Sequence, residues 1–158
     1  MILAIDPGAS GGIAMLFKSG KLIVEPMPET DRDIIDLIVD SLKCYQDDIL
    51  PPEDRRCVIE KVGGFAGKDM PGSRMFSFGR GVGFLHGVMM SLNFRIENPT
   101  PQAWIKVLAL GTRGAMTKTE WKNKLKQRAQ QLFPQVNGIT LKTADALLIL
   151  EAAKRQVF

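Results

Sequence analysis

Three short apolar runs open the chain, and turn-forming residues separate them. The runs span Ile2 to Asp6, Ile13 to Phe17 and Leu22 to Val24, with Pro7-Gly8 and Ser19-Gly20 between them. Short apolar runs interrupted by such residues are typical of strands joined by tight connections. The pattern therefore predicts three antiparallel strands at the start of the chain.

From Asp31 the apolar positions change to helical spacing. Ile34, Ile38 and Leu42 recur every four residues, and Thr30 or Asp31 can cap the first turn. Pro51-Pro52 is expected to end this helix, because proline lacks the amide hydrogen that a helix interior needs.

Strand and helix patterns alternate over the rest of the chain. We predict strands at Cys57 to Glu60 and Phe94 to Ile96, and helices at Ser73 to Leu92, after Pro101, at Lys118 to about Leu132, and at Thr140 to Arg155. Thr117 and Glu120 form a capping box for the helix that begins at Lys118, and Leu141 belongs to the apolar stripe by which the last helix should pack on the sheet. This order predicts a single α/β domain over residues 1–158, with a mixed five-stranded sheet flanked by helices.

Three glycines recur within the predicted helix from Ser73 to Leu92. Gly79, Gly83 and Gly87 lie four residues apart, so they share one face, although each costs about 1 kcal/mol relative to alanine. Some other surface is therefore expected to approach this face closely. Either a neighbouring element of the same chain or the same helix of a second copy would fit.

Charge is distributed unevenly along the sequence. Residues 1–100 carry 11 Lys and Arg against 14 Asp and Glu, whereas residues 101–158 carry 10 against 3. A basic segment of this kind favours a polyanionic partner such as nucleic acid, although a solvated lysine-rich helix would give the same count.

The composition excludes several kinds of site. Cys44 and Cys57 are too few for a disulfide framework or a zinc cluster, and His86 is the one histidine of the sequence, which leaves carboxylates as the expected metal ligands. The sequence holds no apolar run of 18 residues and no basic segment before its first apolar run. We therefore expect a soluble cytoplasmic protein with no membrane partner.

Three carboxylates interrupt otherwise apolar elements. Asp6 ends the first strand, Glu60 ends the fourth, and Asp145 lies in the last helix. Each has an ordinary structural explanation, as a turn residue, a strand-end charge or a helix-start charge. If the first and fourth strands are neighbours beneath the last helix, however, the three converge. Such a cluster would need a cation, and oxygen ligands select Mg²⁺ or Mn²⁺, which assist phosphodiester hydrolysis.

The same residues lie in motifs that resemble a known family. Ile5-Asp6-Pro7-Gly8 followed by Gly11-Gly12, then Val58-Ile59-Glu60, then Thr143-Ala144-Asp145-Ala146-Leu147, resemble the RuvC-type Holliday junction resolvases of the ribonuclease H-like superfamily. The resemblance implies a ribonuclease H-like fold and a homodimeric endonuclease, from a bacterium or a phage-infected host, that resolves four-way DNA junctions by paired nicks. It implies Asp6, Glu60 and Asp145 as catalytic ligands of Mg²⁺.

The resemblance extends to a lysine and fails at another position. Thr100 to Lys106 resembles the family segment that brings a catalytic lysine to the phosphate, which implies this role for Lys106 and less directly for Lys118. The family usually has an acidic or histidine ligand three residues before the last aspartate, where this chain has Lys142. Residues i and i+3 share a helix face, so Lys142 is expected to point at the cluster.

Further cations and one aromatic residue are candidates for contact with DNA. Phe65, in a glycine-rich loop, is suited to stacking on an unpaired base. The predicted DNA-binding residues are Lys61, Phe65, Lys68, Arg74, Arg80, Arg113, Lys118, Lys122 and Lys126.

Lys142 leaves the function open between two main hypotheses. A protonated lysine cannot ligate a metal, so the chain is either a metal-dependent or lysine-assisted junction resolvase, or a junction-binding protein whose cleavage is weak or lost. A third hypothesis is a ribonuclease H-like nuclease that acts on another nucleic acid, RNA in particular.

Overall fold

A computed structural model describes residues 1–46, 51, 54–63 and 71–158. These residues form five strands and five helices in an α/β arrangement. The elements are β1 (Ile2–Asp6), β2 (Gly12–Leu16), β3 (Leu22–Pro26), α1 (Asp31–Cys44), β4 (Arg56–Ile59), α2 (Gly72–Ser91), β5 (Arg95–Glu97), α3 (Pro101–Val107), α4 (Lys118–Leu132) and α5 (Ala144–Arg155).

The strands form one mixed sheet in the order β3-β2-β1-β4-β5. The first three strands are antiparallel neighbours, whereas β4 runs parallel to β1, and β5 parallel to β4. The prediction of a mixed five-stranded sheet with an antiparallel start is confirmed. The neighbouring positions of β1 and β4, which the convergence of Asp6 and Glu60 required, are also confirmed.

Helices cover both faces of the sheet, so the central strands are buried on each side. Because successive side chains of a strand point to opposite faces, Leu3 and Ile5 pack into the core that also contains residues of α1 and α2. Ala4 and Ala14 point the other way, into the core that contains residues of α3, α4 and α5. These small side chains give α5 room to lie close to the sheet, and nine of its twelve residues are buried.

Two boundaries of the helices differ from the prediction. α1 ends at Cys44, where the Tyr45 ring packs against Phe17 with ring centroids 4.7 Å apart, instead of continuing to Pro51. α5 begins at Ala144 and not at Thr140, because the preceding residues form a turn in which the Thr140 N–H donates to Thr143 Oγ1 at 2.9 Å. Leu141, whose spacing predicted that it packs on the sheet, lies in that turn and is 41% exposed.

The glycine-rich face of α2 faces open space. No atom of the described residues lies within 4 Å of a Cβ built at Gly79, Gly83 or Gly87. The side chains of Phe76 and Met90, near the two ends of the helix, are 75% and 62% exposed. Within residues 1–46, 51, 54–63 and 71–158, no neighbouring element explains the glycines, and contact with a second copy stays a prediction.

A buried ion pair stabilises the sheet at the end opposite the carboxylates. Arg56 in β4 donates to both carboxylate oxygens of Glu97 in β5, at 2.9 and 3.0 Å, and to the Ala153 carbonyl of α5. Arg95 and the Phe158 backbone N–H donate to the same carboxylate. Burial alone would raise the pKa of Glu97, but these hydrogen bonds outweigh it and lower the pKa to about 2.

None of the described helices has the length and apolarity that crossing a membrane requires.

Candidate carboxylate active site

Two of the predicted carboxylates lie at the ends of neighbouring parallel strands. Asp6 is the last residue of β1, and Glu60 follows β4 directly, where its N–H donates to the Ile5 carbonyl at 3.0 Å. This bond continues the pairing in which Ile5 lies beside Ile59. Because the strands are parallel, their carboxyl ends lie at the same edge of the sheet, and both carboxylates with them.

Asp145 approaches this edge from the first turn of α5, which packs across β1 and β2. The residue is only 6% exposed. Its Oδ2 accepts a hydrogen bond from Lys122, whereas its Oδ1 is buried and has no hydrogen-bond partner among the described residues. A buried oxygen without a partner is unfavourable unless a further donor or a cation reaches it.

A pair of glycines allows the close approach that positions these carboxylates. A Cβ on Gly11 would lie 2.0 Å from the Asp6 carbonyl oxygen, and one on Gly12 would lie 2.7 Å from the Lys142 carbonyl oxygen. Both distances are shorter than any real contact, so only glycine fits at either position. The start of β2 can therefore lie against both the end of β1 and the turn that leads into α5.

The carboxylates repel one another, and their pKa values reflect this. Burial is the main cause that raises the pKa of Asp6 to about 7, followed by repulsion from Asp145 and Glu60, while Lys122 opposes the rise. Burial also raises the pKa of Glu60, with Asp145 adding to the shift. The cluster is therefore short of positive charge at neutral pH.

Lys122 supplies positive charge to the carboxylate cluster. It projects from the first turns of α4, a helix that Thr117 and Glu120 start with the predicted capping box. Burial alone would lower the pKa of Lys122, but attraction by Asp145 and the hydrogen bond to it, followed by attraction by Asp6 and Glu60, raise the pKa above its ordinary value. Sequence reasoning placed Lys122 among the residues that contact DNA and missed its pairing with the carboxylates.

Lys142 does not have the position that helical spacing predicted. Because α5 begins at Ala144, Lys142 lies in the preceding turn, is exposed, and shares no helix turn with Asp145. Its ammonium forms no ion pair within the described part of the chain. The expectation that Lys142 shares a face of α5 with Asp145 is wrong, and the lysine bonded to the cluster is Lys122.

Trp104 is a further residue of the site that sequence reasoning did not identify. Its indole N–H donates to Glu60 Oε1 at 2.8 Å, and the side chain is almost fully buried in α3. This bond lowers the pKa of Glu60, against the effect of burial, and fixes the direction of the carboxylate. A buried tryptophan needs an acceptor for its N–H. That requirement is the feature of the sequence that could have indicated a polar partner for Trp104.

The donor set suits a hard divalent cation such as Mg²⁺. Asp6, Glu60 and Asp145 provide only oxygen atoms, and the unpartnered Asp145 Oδ1 gives such an ion a place that no described group fills. In the described ranges, however, no three His, Cys, Asp or Glu side chains already stand together as a ligand group. The three residues have the oxygen ligands that such an ion prefers, and their side chains would have to come closer to one another to bind it.

Two cavities are lined by residues close to the carboxylates in sequence or bonded to them, and each contains predicted DNA-binding residues. One, here called the α2 cavity, has a volume of about 650 Å³. Its cationic lining residues are Arg74, Arg80 and Lys142. The other, here called the α4 cavity, has a volume of about 1060 Å³. Its cationic lining residues are Lys106, Arg113, Lys118 and Lys122.

The remaining predicted DNA-binding residues lie elsewhere. Lys61 is exposed next to Glu60, and Lys126 is half-buried on α4 and lines neither cavity. Arg80 forms an ion pair with Asp31, so its charge is partly neutralised. Phe65 and Lys68 lie outside the described residues.

Comparison with known proteins finds similarity in structure only. No family model and no curated protein sequence matches the chain. Thermus thermophilus RuvC matches with a TM-score of 0.54 at 14% identity, over 96% of this chain and 91% of that chain. The T. thermophilus RuvC complex with a Holliday junction substrate gives 0.54 at 12% identity, over 96% and 90%.

A third solved structure, the Fowlpox virus resolvase with its substrate Holliday junction DNA, matches with a TM-score of 0.48 at 17% identity, over 98% of this chain and 99% of that chain. The match to RuvC confirms the fold that the sequence motifs implied, that of the RuvC-type resolvases. At such low identity the likeness concerns the fold, and the roles of individual residues stay predictions.

Proposed function

We propose that this protein is a structure-selective endonuclease that cleaves phosphodiester bonds in branched DNA, four-way junctions above all. The observation that carries the proposal is the convergence of Asp6, Glu60 and Asp145 at one edge of the sheet, with raised pKa values for Asp6 and Glu60. Carboxylates held together at such a cost in free energy are typical of catalytic sites. The RuvC-like fold and the four cationic residues that line the α4 cavity support the same activity.

Asp6, Glu60 and Asp145 would hold Mg²⁺, or Mn²⁺ in its place. When bound, the ion would polarise the scissile phosphate and lower the pKa of an attacking water. Trp104 keeps Glu60 directed toward the cluster through its N–H bond at 2.8 Å, so that the carboxylate does not have to be ordered during the reaction.

Lys122 has two roles in this proposal. Without a metal ion, its ammonium neutralises Asp145 and thereby reduces the repulsion among the carboxylates. Because Lys122 also lines the α4 cavity, its ammonium can turn to a phosphate oxygen there once a metal ion neutralises the carboxylates. Lys106 lines the same cavity, and together the two lysines would stabilise negative charge that develops on the phosphate.

The direct test compares cleavage of a labelled four-way junction with cleavage of a linear duplex of the same sequence, in Mg²⁺ and in Mn²⁺. We expect paired nicks in the junction, little cleavage of the duplex, and a loss of at least about 100-fold in rate for Asp6→Asn. Equal cleavage of both substrates, or full activity of Asp6→Asn, would contradict the proposal.

A second candidate function is junction binding with little cleavage. Two features favour it. Position 142 holds a lysine and not an acidic residue, and Lys122 already pairs with Asp145. Both features reduce the attraction of the site for a metal ion. Tight junction binding without cleavage by the wild type, together with cleavage by Lys142→Asp, would support this function over the first.

We further propose that the protein acts as a homodimer that pairs through the glycine-rich face of α2. Gly79, Gly83 and Gly87 allow two helices to approach closely, and the exposed Phe76 and Met90 would be covered in the contact. A two-fold dimer presents two active sites, which matches symmetric nicks in a four-way junction.

Sedimentation velocity at micromolar concentration tests the dimer. We expect the wild type to sediment as a dimer and Gly83→Arg to sediment as a monomer, because the added side chain would separate the helices. Gln127→Arg, which adds the same charge to an exposed position of α4, should remain a dimer. A monomeric wild type would exclude this assembly.

A further inference from the structure

The α4 cavity has features that phosphate binding does not require. It is bounded by α3, by the segment between α3 and α4, and by the first turns of α4. Its volume of about 1060 Å³ is slightly above the usual range of small-molecule sites, about 300–1,000 Å³. Lys122 lines the cavity and also bonds to Asp145, so this lysine connects the cavity to the carboxylate cluster.

The cavity is suited to an anion by its charge. Four of its lining residues are cationic, namely Lys106, Arg113, Lys118 and Lys122, and no acidic residue lines it among those described. The nearest carboxylate on α4, Glu120, is occupied in the capping box with Thr117. By contrast, Glu29 and Asp31 line the α2 cavity, so its charge is mixed.

The cavity also has an apolar wall, in which Trp121 is the largest side chain. Pro101, Ile105 and Ala109 line the cavity beside it. The indole is half-buried and packs against the core beneath α5. A phosphate or a sugar gains little from such a wall, whereas the flat apolar face of a nucleobase stacks well on an indole.

Lys124 lies over the ring of Trp121. Its ammonium lies 5.2 Å from the centroid of the Trp121 ring and donates to the Leu110 carbonyl at 3.0 Å. The cation is thus held against the ring by a backbone bond. A ring that is already oriented loses little side-chain entropy when a base stacks on it.

We propose that the α4 cavity binds one unpaired nucleotide of the DNA substrate, with the base stacked on Trp121 and the phosphates contacted by the surrounding lysines. This inference rests on the proposed function and adds a specificity site to it. A continuous duplex keeps its bases stacked and cannot place one in a concave cavity, whereas a branch point offers an unstacked base at little cost. Selectivity for branched DNA would then arise partly at Trp121, beside the cleaved bond.

The test measures binding of a short oligonucleotide in EDTA, where cleavage is impossible. The probe is pentathymidylate, and the comparison is a pentamer with abasic sites and the same phosphates. We expect pentathymidylate to quench the tryptophan fluorescence of the wild type, and Trp121→Phe to remove the quenching while retaining most of the affinity. The second tryptophan, Trp104, is buried against Glu60 and should contribute an unchanged background.

Removal of the ring separates stacking from charge. Trp121→Ala should weaken pentathymidylate binding about tenfold, which is about 1.4 kcal/mol, and leave the weaker binding of the abasic pentamer unchanged. Lys118→Met should weaken both probes by similar factors. Lys154→Met, which removes an exposed charge near the far end of α5, should weaken neither.

These outcomes distinguish the inference from the proposed function. Quenching that depends on Trp121 supports the cavity as a nucleotide site even if junction cleavage is absent. The inference would be overturned if Trp121→Ala weakened both probes equally, or if the wild type showed no quenching. Neither result would contradict the proposal that the protein cleaves junctions. Thermal unfolding of Trp121→Phe and Trp121→Ala checks that both variants are folded at the assay temperature.

Discussion

At the scale of single residues, the site is a balance between one ammonium and three carboxylates, of which Asp6 and Asp145 are buried and Glu60 is partly buried. Asp6, Glu60 and Asp145 repel one another at the edge of the sheet, and Lys122 compensates only part of that charge. Such a site is expected to destabilise the folded protein, and its excess negative charge is what would attract a metal ion. Two substitutions test this balance without any measurement of activity.

Asp6→Asn should stabilise the metal-free protein at alkaline pH. The pKa of Asp6 is about 7 in the folded protein and 3.8 ordinarily, so the folded state binds the proton more tightly than the unfolded state does. Stability therefore falls as pH rises from about 4 to 7, by an amount on the order of 4 kcal/mol. In EDTA, we expect the melting temperature of Asp6→Asn to exceed that of the wild type by several degrees at pH 8, and by almost nothing at pH 4.

The melting temperatures of the wild type and Asp6→Asn are compared at pH 4 and pH 8. If they differ by the same amount at both pH values, Asp6 does not titrate in this way. Mg²⁺ should reduce the difference at pH 8, because the ion would stabilise the wild type more than the variant.

Lys122→Met should have the opposite effect on stability. The substitution leaves Asp145 buried without its cation, so we expect a loss of about 2 kcal/mol in the free energy of unfolding at pH 8 in EDTA, measured by urea denaturation. Lys126→Met, one turn further along α4 and without an ion pair in the described part of the chain, is the matched control and should lose little. Equal losses for the two variants would show that the Lys122 ion pair contributes nothing specific.

At the scale of elements, β4 has a candidate site residue at one end and a stabilising residue at the other. Glu60 follows the strand at the edge where the carboxylates meet, and Arg56 begins it at the opposite edge, where it binds Glu97 and the end of α5. The Arg56 ion pair therefore holds the strand and the helix whose other ends position Glu60 and Asp145.

Glu97→Gln should reduce stability in a way that depends on pH. The pKa of Glu97 is about 2 in the folded protein and 4.5 ordinarily, so its stabilising contribution is complete above about pH 5 and is lost as the pH falls toward 2. We expect the variant to lose about 3 kcal/mol in urea denaturation at pH 7 and clearly less at pH 3. A loss that did not shrink at pH 3 would exclude ionisation of Glu97 as its source.

The elements themselves could be predicted from sequence to different degrees. The three antiparallel strands and the capping box of α4 depend on local patterns, and both were predicted. The start of α5 was placed too early, because Leu141 matched the apolar spacing while Thr143, by bonding to Thr140, delays the helix. That bond follows from a turn geometry that apolar spacing does not encode.

At the scale of the whole molecule, the fold brings together residues that are far apart in sequence. Parallel pairing of β1 and β4 beneath α5 could be expected from the three motifs, so the convergence of Asp6, Glu60 and Asp145 was predictable. The entry of Lys122 into the cluster was not, because it depends on how α4 packs against α5 and not on any spacing near the carboxylates. The bond from Trp104 to Glu60 joins α3 to β4 and was missed for the same reason.

The two cavities near the candidate active site differ in charge. The charged residues of the α4 cavity are all cationic, whereas those of the α2 cavity are mixed in sign. A DNA strand that crosses the site would therefore be held more strongly on the α4 side. Paired copies related by a two-fold axis would bind two such strands in opposite directions.

The measurement that tests the central claim most directly is single-turnover cleavage of a four-way junction by Asp145→Asn, beside its junction binding in EDTA. Asp145 is the carboxylate that carries the unpartnered oxygen and the Lys122 bond. We predict that Asp145→Asn binds the junction with wild-type affinity, or slightly more tightly, and cleaves it at least about 100-fold more slowly in Mg²⁺. Unchanged cleavage by Asp145→Asn would contradict the assignment of the carboxylate cluster as the catalytic centre.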